Sequence, residues 1–97
     1  MALKTINPTT TQSWANLKKH FNVIKDVHMK SMFAEDASRA NDMTIKWEDF
    51  YIDFSKNRIS KETLGLLTQL ANEIDLKDAI EKYFSGDIIN ETEGRAV

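Results

Sequence analysis

The chain has 97 residues, which is enough for one domain near the low end of sizes that fold unaided. Apolar residues make up 41% and charged residues 29%, the balance of a soluble globular protein and not of a disordered chain. Thirteen basic and 15 acidic residues give a formal net charge of -2 without a large single-sign cluster, so nucleic acid is not expected as a partner. The absence of cysteine excludes disulfides, thiolate nucleophiles and cysteine-ligated zinc.

The amino terminus, Met1 to Ile6, contains no apolar run of signal-peptide length, and no stretch approaches the length of a membrane span. We therefore predict a cytoplasmic protein without a membrane partner.

The first predicted element is a helix over about residues 8–25. Asn7 and Pro8 suit a helix start, because asparagine caps free backbone N–H groups and proline fits a first turn. Four large apolar side chains then recur at steps of three or four and predict one buried face: Trp14, Leu17, Phe21 and Ile24.

Residues 26–42 are predicted as loop with a short helix, and residues 43–56 as strands, because apolar and polar residues alternate there with period two. A bend at Glu48 and Asp49 would give a hairpin. The usual Asn-Gly or Asp-Gly turn is missing, so one long bent strand is the alternative.

Two helices are predicted over residues 60–74 and 76–85, each with a capping residue and apolar spacing of three and four. Residues 91–97 carry capping and acidic residues typical of a helix start, and the chain stops before that helix could be completed. The predicted fold class is mainly α with a β-hairpin or bent strand pair, an α+β fragment of a longer protein.

No complete catalytic, metal or cofactor site can be assembled from these residues. His20 and His28 are eight apart, whereas helical metal ligands fall at three or four, so His20 is expected to be a packing residue at the edge of the first helix. The scattered glycines form no phosphate-binding loop. The acidic residues at predicted helix ends are explained by capping and dipole complementarity: Glu62, Glu73, Asp78, Glu91 and Glu93.

The best polar cluster follows the strands, where binding groups are often displayed. A structural or solvated role is favoured over substrate contact, because strand ends must place polar residues outside in any case. Its members are Asp53, Ser55, Lys56 and Asn57.

Several segments together resemble the amino-terminal region of the phosphoglucose isomerase family. The most specific is Ile89 to Val97, which follows the family pattern isoleucine-asparagine, any residue, threonine-glutamate, any residue, arginine-alanine-valine. The run Asp53 to Ile59 is similar to the family's aspartate-tyrosine-serine-lysine-asparagine motif, with Phe54 in place of tyrosine. The other matching residues are Asn7-Pro8-Thr9, Trp14, Leu17, His20, Phe21 and Phe84-Ser85-Gly86.

This resemblance implies a parent of several hundred residues with two α/β sugar-isomerase-type sandwich domains, commonly a homodimer. Its implied reaction interconverts glucose 6-phosphate and fructose 6-phosphate without a cofactor, using a glutamate base and a ring-opening histidine. The family's catalytic and phosphate-binding motifs lie later in its sequence and do not occur in this chain. We therefore expect no catalytic, cofactor-binding or metal residues here, and an inactive fragment.

An alternative hypothesis is a free-standing helical module that binds a partner helix through the stripe of Trp14, Leu17, Phe21 and Ile24. Composition alone does not distinguish this helical module from a fragment of an isomerase.

Overall fold

The computed structural model describes residues 3–97 and consists mainly of helices with one two-stranded antiparallel sheet. This confirms the fold class predicted from the sequence. After a 3-10 turn at Pro8–Thr10, the elements in chain order are α1 (Gln12–Ile24), α2 (Met29–Glu35), α3 (Arg39–Asp42), β1 (Thr44–Trp47), β2 (Phe50–Asp53), α4 (Lys61–Glu73) and α5 (Leu76–Ser85).

Helices α1 and α4 lie against each other in opposite directions. Glu73, the last residue of α4, accepts hydrogen bonds from the backbone N–H of Gln12 at 2.9 Å and from the Ser13 hydroxyl at 2.9 Å. At the other end of the pair, His20 of α1 is hydrogen-bonded to Thr63 of α4. A carboxylate at the amino terminus of α1 satisfies free N–H groups and complements the helix dipole.

Small and polar side chains fill the contact between α1 and α4. Ser13, His20 and Thr63 are buried, whereas Phe21, which the apolar stripe placed in the core, is 62% exposed. The stripe was therefore only partly right about burial, because Phe21 is exposed and Trp14, Leu17 and Ile24 are only half-buried. An exposed, mostly apolar groove remains beside Trp14, Leu17 and Phe21.

The two strands form a hairpin, not one bent strand. Ile45 pairs with Ile52 and Trp47 pairs with Phe50, and a two-residue turn at Glu48 and Asp49 connects the strands. Glu48 has a φ of 51°. A positive φ at the first central position is the feature of type II′ hairpin turns, which normally use glycine there, so the usual sequence signal is missing.

Helix α4 begins at the capping residue that the sequence indicates, and Ser60 and Thr63 form a capping box there by exchanging side-chain-to-backbone hydrogen bonds. Helix α5 begins differently. Asp75 has a left-handed backbone, with φ 60° and ψ 45°, and its side chain makes no capping bond but pairs with Lys4. Gly86, at φ 82°, ends α5 in the left-handed conformation that glycine favours.

The prediction of a helix start at 91–97 is wrong. Asn90 and Arg95 form an antiparallel bridge across a turn, and Gly94 has a φ of 64°. The Asn90 side chain accepts hydrogen bonds from the Thr92 hydroxyl and the Glu93 N–H. Asparagine and threonine bond a turn as readily as a helix end, so the same capping residues support the competing structure.

The residues described make a flat, open body with little apolar interior. It measures 51 × 37 × 17 Å and has a radius of gyration of 17.2 Å, whereas a compact domain of this length has about 13 Å. Among residues 3–97 the buried apolar side chains are those of Met32 and Met43. Within the same range no helix is both long and apolar enough to cross a membrane.

Candidate functional site: the loop from Asp53 to Ser60

The polar cluster singled out in the sequence lies in a tight loop between β2 and α4. Backbone hydrogen bonds fold this loop: Phe54 N–H donates to the Met43 carbonyl at 3.0 Å, and Asn57 N–H donates to the Phe54 carbonyl at 3.1 Å. Ile59 N–H then donates to the Asn57 carbonyl at 2.8 Å. Several carbonyl groups of the loop consequently turn inward.

The guanidinium of Arg39 occupies the inside of the loop. It donates to the carbonyl oxygens of Ser55 at 2.9 Å, Asn57 at 2.8 Å and Ile59 at 2.8 Å. Arg39 is only 2% exposed, and its charge lies 5.3 Å from the centre of the Phe33 ring. A planar guanidinium has five N–H donors in a fixed fork, so it can hold three carbonyls that point in different directions.

Four further contacts fix the loop and the start of α4 to neighbouring elements. Arg58 donates to the carbonyl oxygens of Lys25 at 3.1 Å and Val27 at 2.6 Å, just after the end of α1. Lys61, the first residue of α4, pairs with Asp42 at 2.8 Å and with Asp36 at 3.6 Å. Basic groups therefore tie the loop to α1, α2 and α3.

The carboxylates around the loop are held in their charged form. Hydrogen bonds from the Ser55 side chain and backbone lower the pKa of Asp53, with the amide contact at 2.9 Å. A hydrogen bond from Lys61 lowers the pKa of Asp42, and the same contact raises the pKa of Lys61. Groups that stay charged at neutral pH are suited to fixing structure, whereas a general acid or base needs a pKa near the working pH.

The predicted polar cluster is thus brought together, although its members differ in what they can do. Ser55 is 2% exposed and so does not present its hydroxyl to a ligand, and the exposed Asp53 accepts a hydrogen bond from the Ser55 N–H through Oδ1. Lys56 and Asn57 are exposed on the outside of the loop. The arrangement can display polar groups, but it does not pair a nucleophile with a base.

Arg39 is the residue of this site that sequence reasoning missed. It lies in α3, within a stretch read as polar loop, and the helical turn there presents it to the loop. An arginine among polar neighbours is normally solvated, so the local pattern gave no sign of burial. No sequence signal marks its burial, because its partners are backbone carbonyls, which every residue carries.

His20 packs in the contact between α1 and α4. Its ring is buried between α1 and α4, where Nε2 contacts the Thr63 hydroxyl and Nδ1 lies 3.6 Å from an exposed carboxylate oxygen of Glu62. His28 is on the surface, where Nδ1 accepts a hydrogen bond from Lys30 N–H at the start of α2. Within the described range no group of three or more His, Cys, Asp or Glu side chains could hold a metal ion.

Among the acidic residues assigned to helix ends, Glu73 contacts a second element, whereas Asp78 and Glu93 pair locally. Glu73 caps α1, and Asp78 pairs with Lys82 along α5 at 2.9 Å. Glu93 pairs with Arg95 inside the final turn at 2.6 Å.

Comparison with known proteins finds a match that includes residues 53–60 of this loop. The family described as phosphoglucose isomerase matches residues 53–97, a range that starts at Asp53 itself. The glucose-6-phosphate isomerase of Christiangramia forsetii is 56% identical to the chain over 95 residues. The chain resembles a segment of phosphoglucose isomerase. This confirms the resemblance predicted from the sequence.

The match covers 98% of this chain and 18% of the relative, so the chain spans less than a fifth of the length of that phosphoglucose isomerase. The alignment extends over α1 and gives no support to the alternative of a separate helical interaction module. The residues that match the phosphoglucose isomerase family begin with this loop, at Asp53.

Proposed function

We propose that the chain is the amino-terminal segment of a glucose-6-phosphate isomerase. In this proposal the segment has a structural role in the enzyme and supplies no catalytic groups. The observation that carries this proposal is the 56% identity to a glucose-6-phosphate isomerase over 98% of the chain. The parent protein interconverts glucose 6-phosphate and fructose 6-phosphate, with a sugar phosphate as its partner and no cofactor, metal ion, nucleic acid or membrane. It acts in glycolysis and gluconeogenesis, in the cytoplasm, as a homodimer.

The framing role rests on how the polar groups are used. Arg39 and Arg58 donate hydrogen bonds to backbone carbonyls, and Asp53 accepts one from Ser55. Glu73 is bound to the start of α1. A base that removes a proton next to a carbonyl must be free to approach its substrate, and these groups are already engaged. We therefore expect the catalytic residues of the isomerase to lie outside this chain.

The proposal is tested by reading the coding sequence past Val97 and assaying the longest product. We expect the frame to continue into leucine-histidine and the whole protein to form fructose 6-phosphate from glucose 6-phosphate. A stop directly after Val97 in the genome, or a long product without isomerase activity, would overturn the proposal. An intact phosphoglucose isomerase assayed alongside shows that the coupled assay works.

A further inference from the structure

The hairpin of β1 and β2 has one polar face and one apolar face. In the observed register, Thr44 pairs with Asp53 and Lys46 with Tyr51, which places these four side chains on one face. The opposite face carries two directly paired sets of large apolar side chains: Ile45, Trp47, Phe50 and Ile52.

Nothing in the described chain covers this apolar face. Ile45 and Ile52 are 53% and 52% exposed, and Trp47 and Phe50 are 63% and 61% exposed. The two aromatic rings stack on each other, with centroids 5.8 Å apart, and present their outer surfaces to solvent. A two-stranded hairpin is marginal in water unless its apolar face packs against another element.

We propose that the apolar face of the hairpin, Ile45, Trp47, Phe50 and Ile52, is a docking surface for the remainder of the same isomerase polypeptide. This rests on the proposed function. The occupant is an apolar helix or sheet face from that remainder, since sheets bury an apolar face in a second layer of secondary structure.

Two observations favour the same polypeptide over a second copy. The chain corresponds to 18% of its relative, so most of an isomerase is available to cover the face. The four side chains offer on the order of 400 Å² at the exposures given, if each is taken at ordinary side-chain size, whereas a stable dimer needs roughly 800 Å² per partner. A segment in the same chain needs less area, because attachment gives it a high effective concentration.

Cysteine accessibility in the whole isomerase tests the proposal. Ile45→Cys and Ile52→Cys place a thiol on the apolar face, and Lys46→Cys places one on the polar face of the same hairpin. Labelling with a water-soluble maleimide is compared between the whole enzyme and the 97-residue chain, which has no cysteine of its own. The unsubstituted whole enzyme gives the background from cysteines elsewhere.

We expect labelling at 45 and 52 to be at least roughly 100-fold slower in the whole enzyme than in the short chain, with a much smaller change at 46. Equal rates at 45 and 46 in the whole enzyme would overturn the proposal. Protection in the whole enzyme that disappears on dilution would also overturn it, because the occupant would then be a second copy.

Hydrogen exchange of the unsubstituted proteins covers the case in which a cysteine variant fails to fold. Peptides spanning 44–53 should exchange at least roughly tenfold more slowly in the whole enzyme than in the short chain, and equal exchange contradicts docking. Isomerase activity of the whole enzyme is measured separately. An active enzyme with an unprotected hairpin would contradict the docking proposal alone. A whole enzyme without isomerase activity would contradict the proposed function.

Discussion

The Arg39 guanidinium donates a hydrogen bond of 2.8 Å to the carbonyl oxygen of Asn57, which lies 18 residues further along the chain. With the carbonyls of Ser55 and Ile59, this contact makes one buried cation the centre of the loop between β2 and α4. Hydrogen bonds from a charged donor are stronger than neutral ones, and the carbonyls left without a partner would be costly.

Replacing Arg39 with methionine should lower the free energy of unfolding by about 3 kcal/mol, because three carbonyls lose a charged donor inside the structure. Arg39→Lys should recover only part of this loss, since an ammonium group cannot reproduce the planar fork. Urea titration followed by far-UV circular dichroism measures both. Arg58→Met is the matched control on an exposed arginine and should cost less than about 1 kcal/mol. An Arg39→Met midpoint equal to that of the control would contradict the role given to Arg39.

Glu73→Ala should lower the free energy of unfolding by about 1 kcal/mol, because α1 loses the carboxylate that accepts from Gln12 and Ser13 at its amino terminus. Glu73→Gln should cost less, since the amide oxygen still accepts a hydrogen bond without the charge. Thermal melting of both variants gives the comparison, with the exposed Glu81→Ala on α5 as control. Identical losses for Glu73→Ala and Glu81→Ala would show that the cap contributes nothing.

Acid should destabilise the chain through Asp42 and Asp53. Their pKa values are lower in the folded chain than in the unfolded one, so their contribution is present above about pH 4 and is lost as the pH falls through the folded values. Asp42→Asn and Asp53→Asn should each flatten the fall in urea midpoint between pH 6 and pH 2.5, roughly the range over which such carboxyls titrate. Asp49→Asn in the exposed hairpin turn is the control. An unchanged slope in both variants would contradict this assignment.

The 97-residue chain should be marginally stable and should associate through its uncovered apolar side chains. Sedimentation equilibrium across a range of concentrations measures the association. The double variant Trp47→Ser, Phe50→Ser should weaken it, whereas Lys46→Ser on the polar face should leave it unchanged. A monodisperse monomer that melts cooperatively at high temperature would count against this prediction.

Local sequence patterns predict the helices and strands but not the contacts between them. The alternation around Ile45 and Trp47 predicts strands because period two is a property of adjacent residues. The capping residue at the start of the segment 60–74 likewise predicts the start of α4, where Ser60 is the N-cap. Phe21, in contrast, fits the predicted stripe and is nevertheless exposed. Periodicity finds an apolar face but does not say which element meets it.

The candidate site shows the same division. Asp53 and Ser55 are recognisable as a polar strand end, and the resemblance to phosphoglucose isomerase is visible from the residues that follow. The burial of Arg39 is not visible in the sequence, because the partners of its side chain lie 16 to 20 residues away and are backbone atoms. Backbone carbonyls are the same in every residue, so a sequence does not reveal which of them a distant side chain will contact. The turn at Asn90 was missed for a related reason, since its capping residues serve either structure.

The most direct measurement of the central claim is an isomerase assay on the purified 97-residue chain, with fructose 6-phosphate formation coupled to a spectroscopic readout. An intact phosphoglucose isomerase at the same molar concentration is the positive control, and a heat-treated sample of the chain is the blank. If the chain is a framing segment, fructose 6-phosphate should form no faster than in the blank. Steady turnover that scales with the concentration of the chain would contradict the account, because it would place a working active site within residues 1–97.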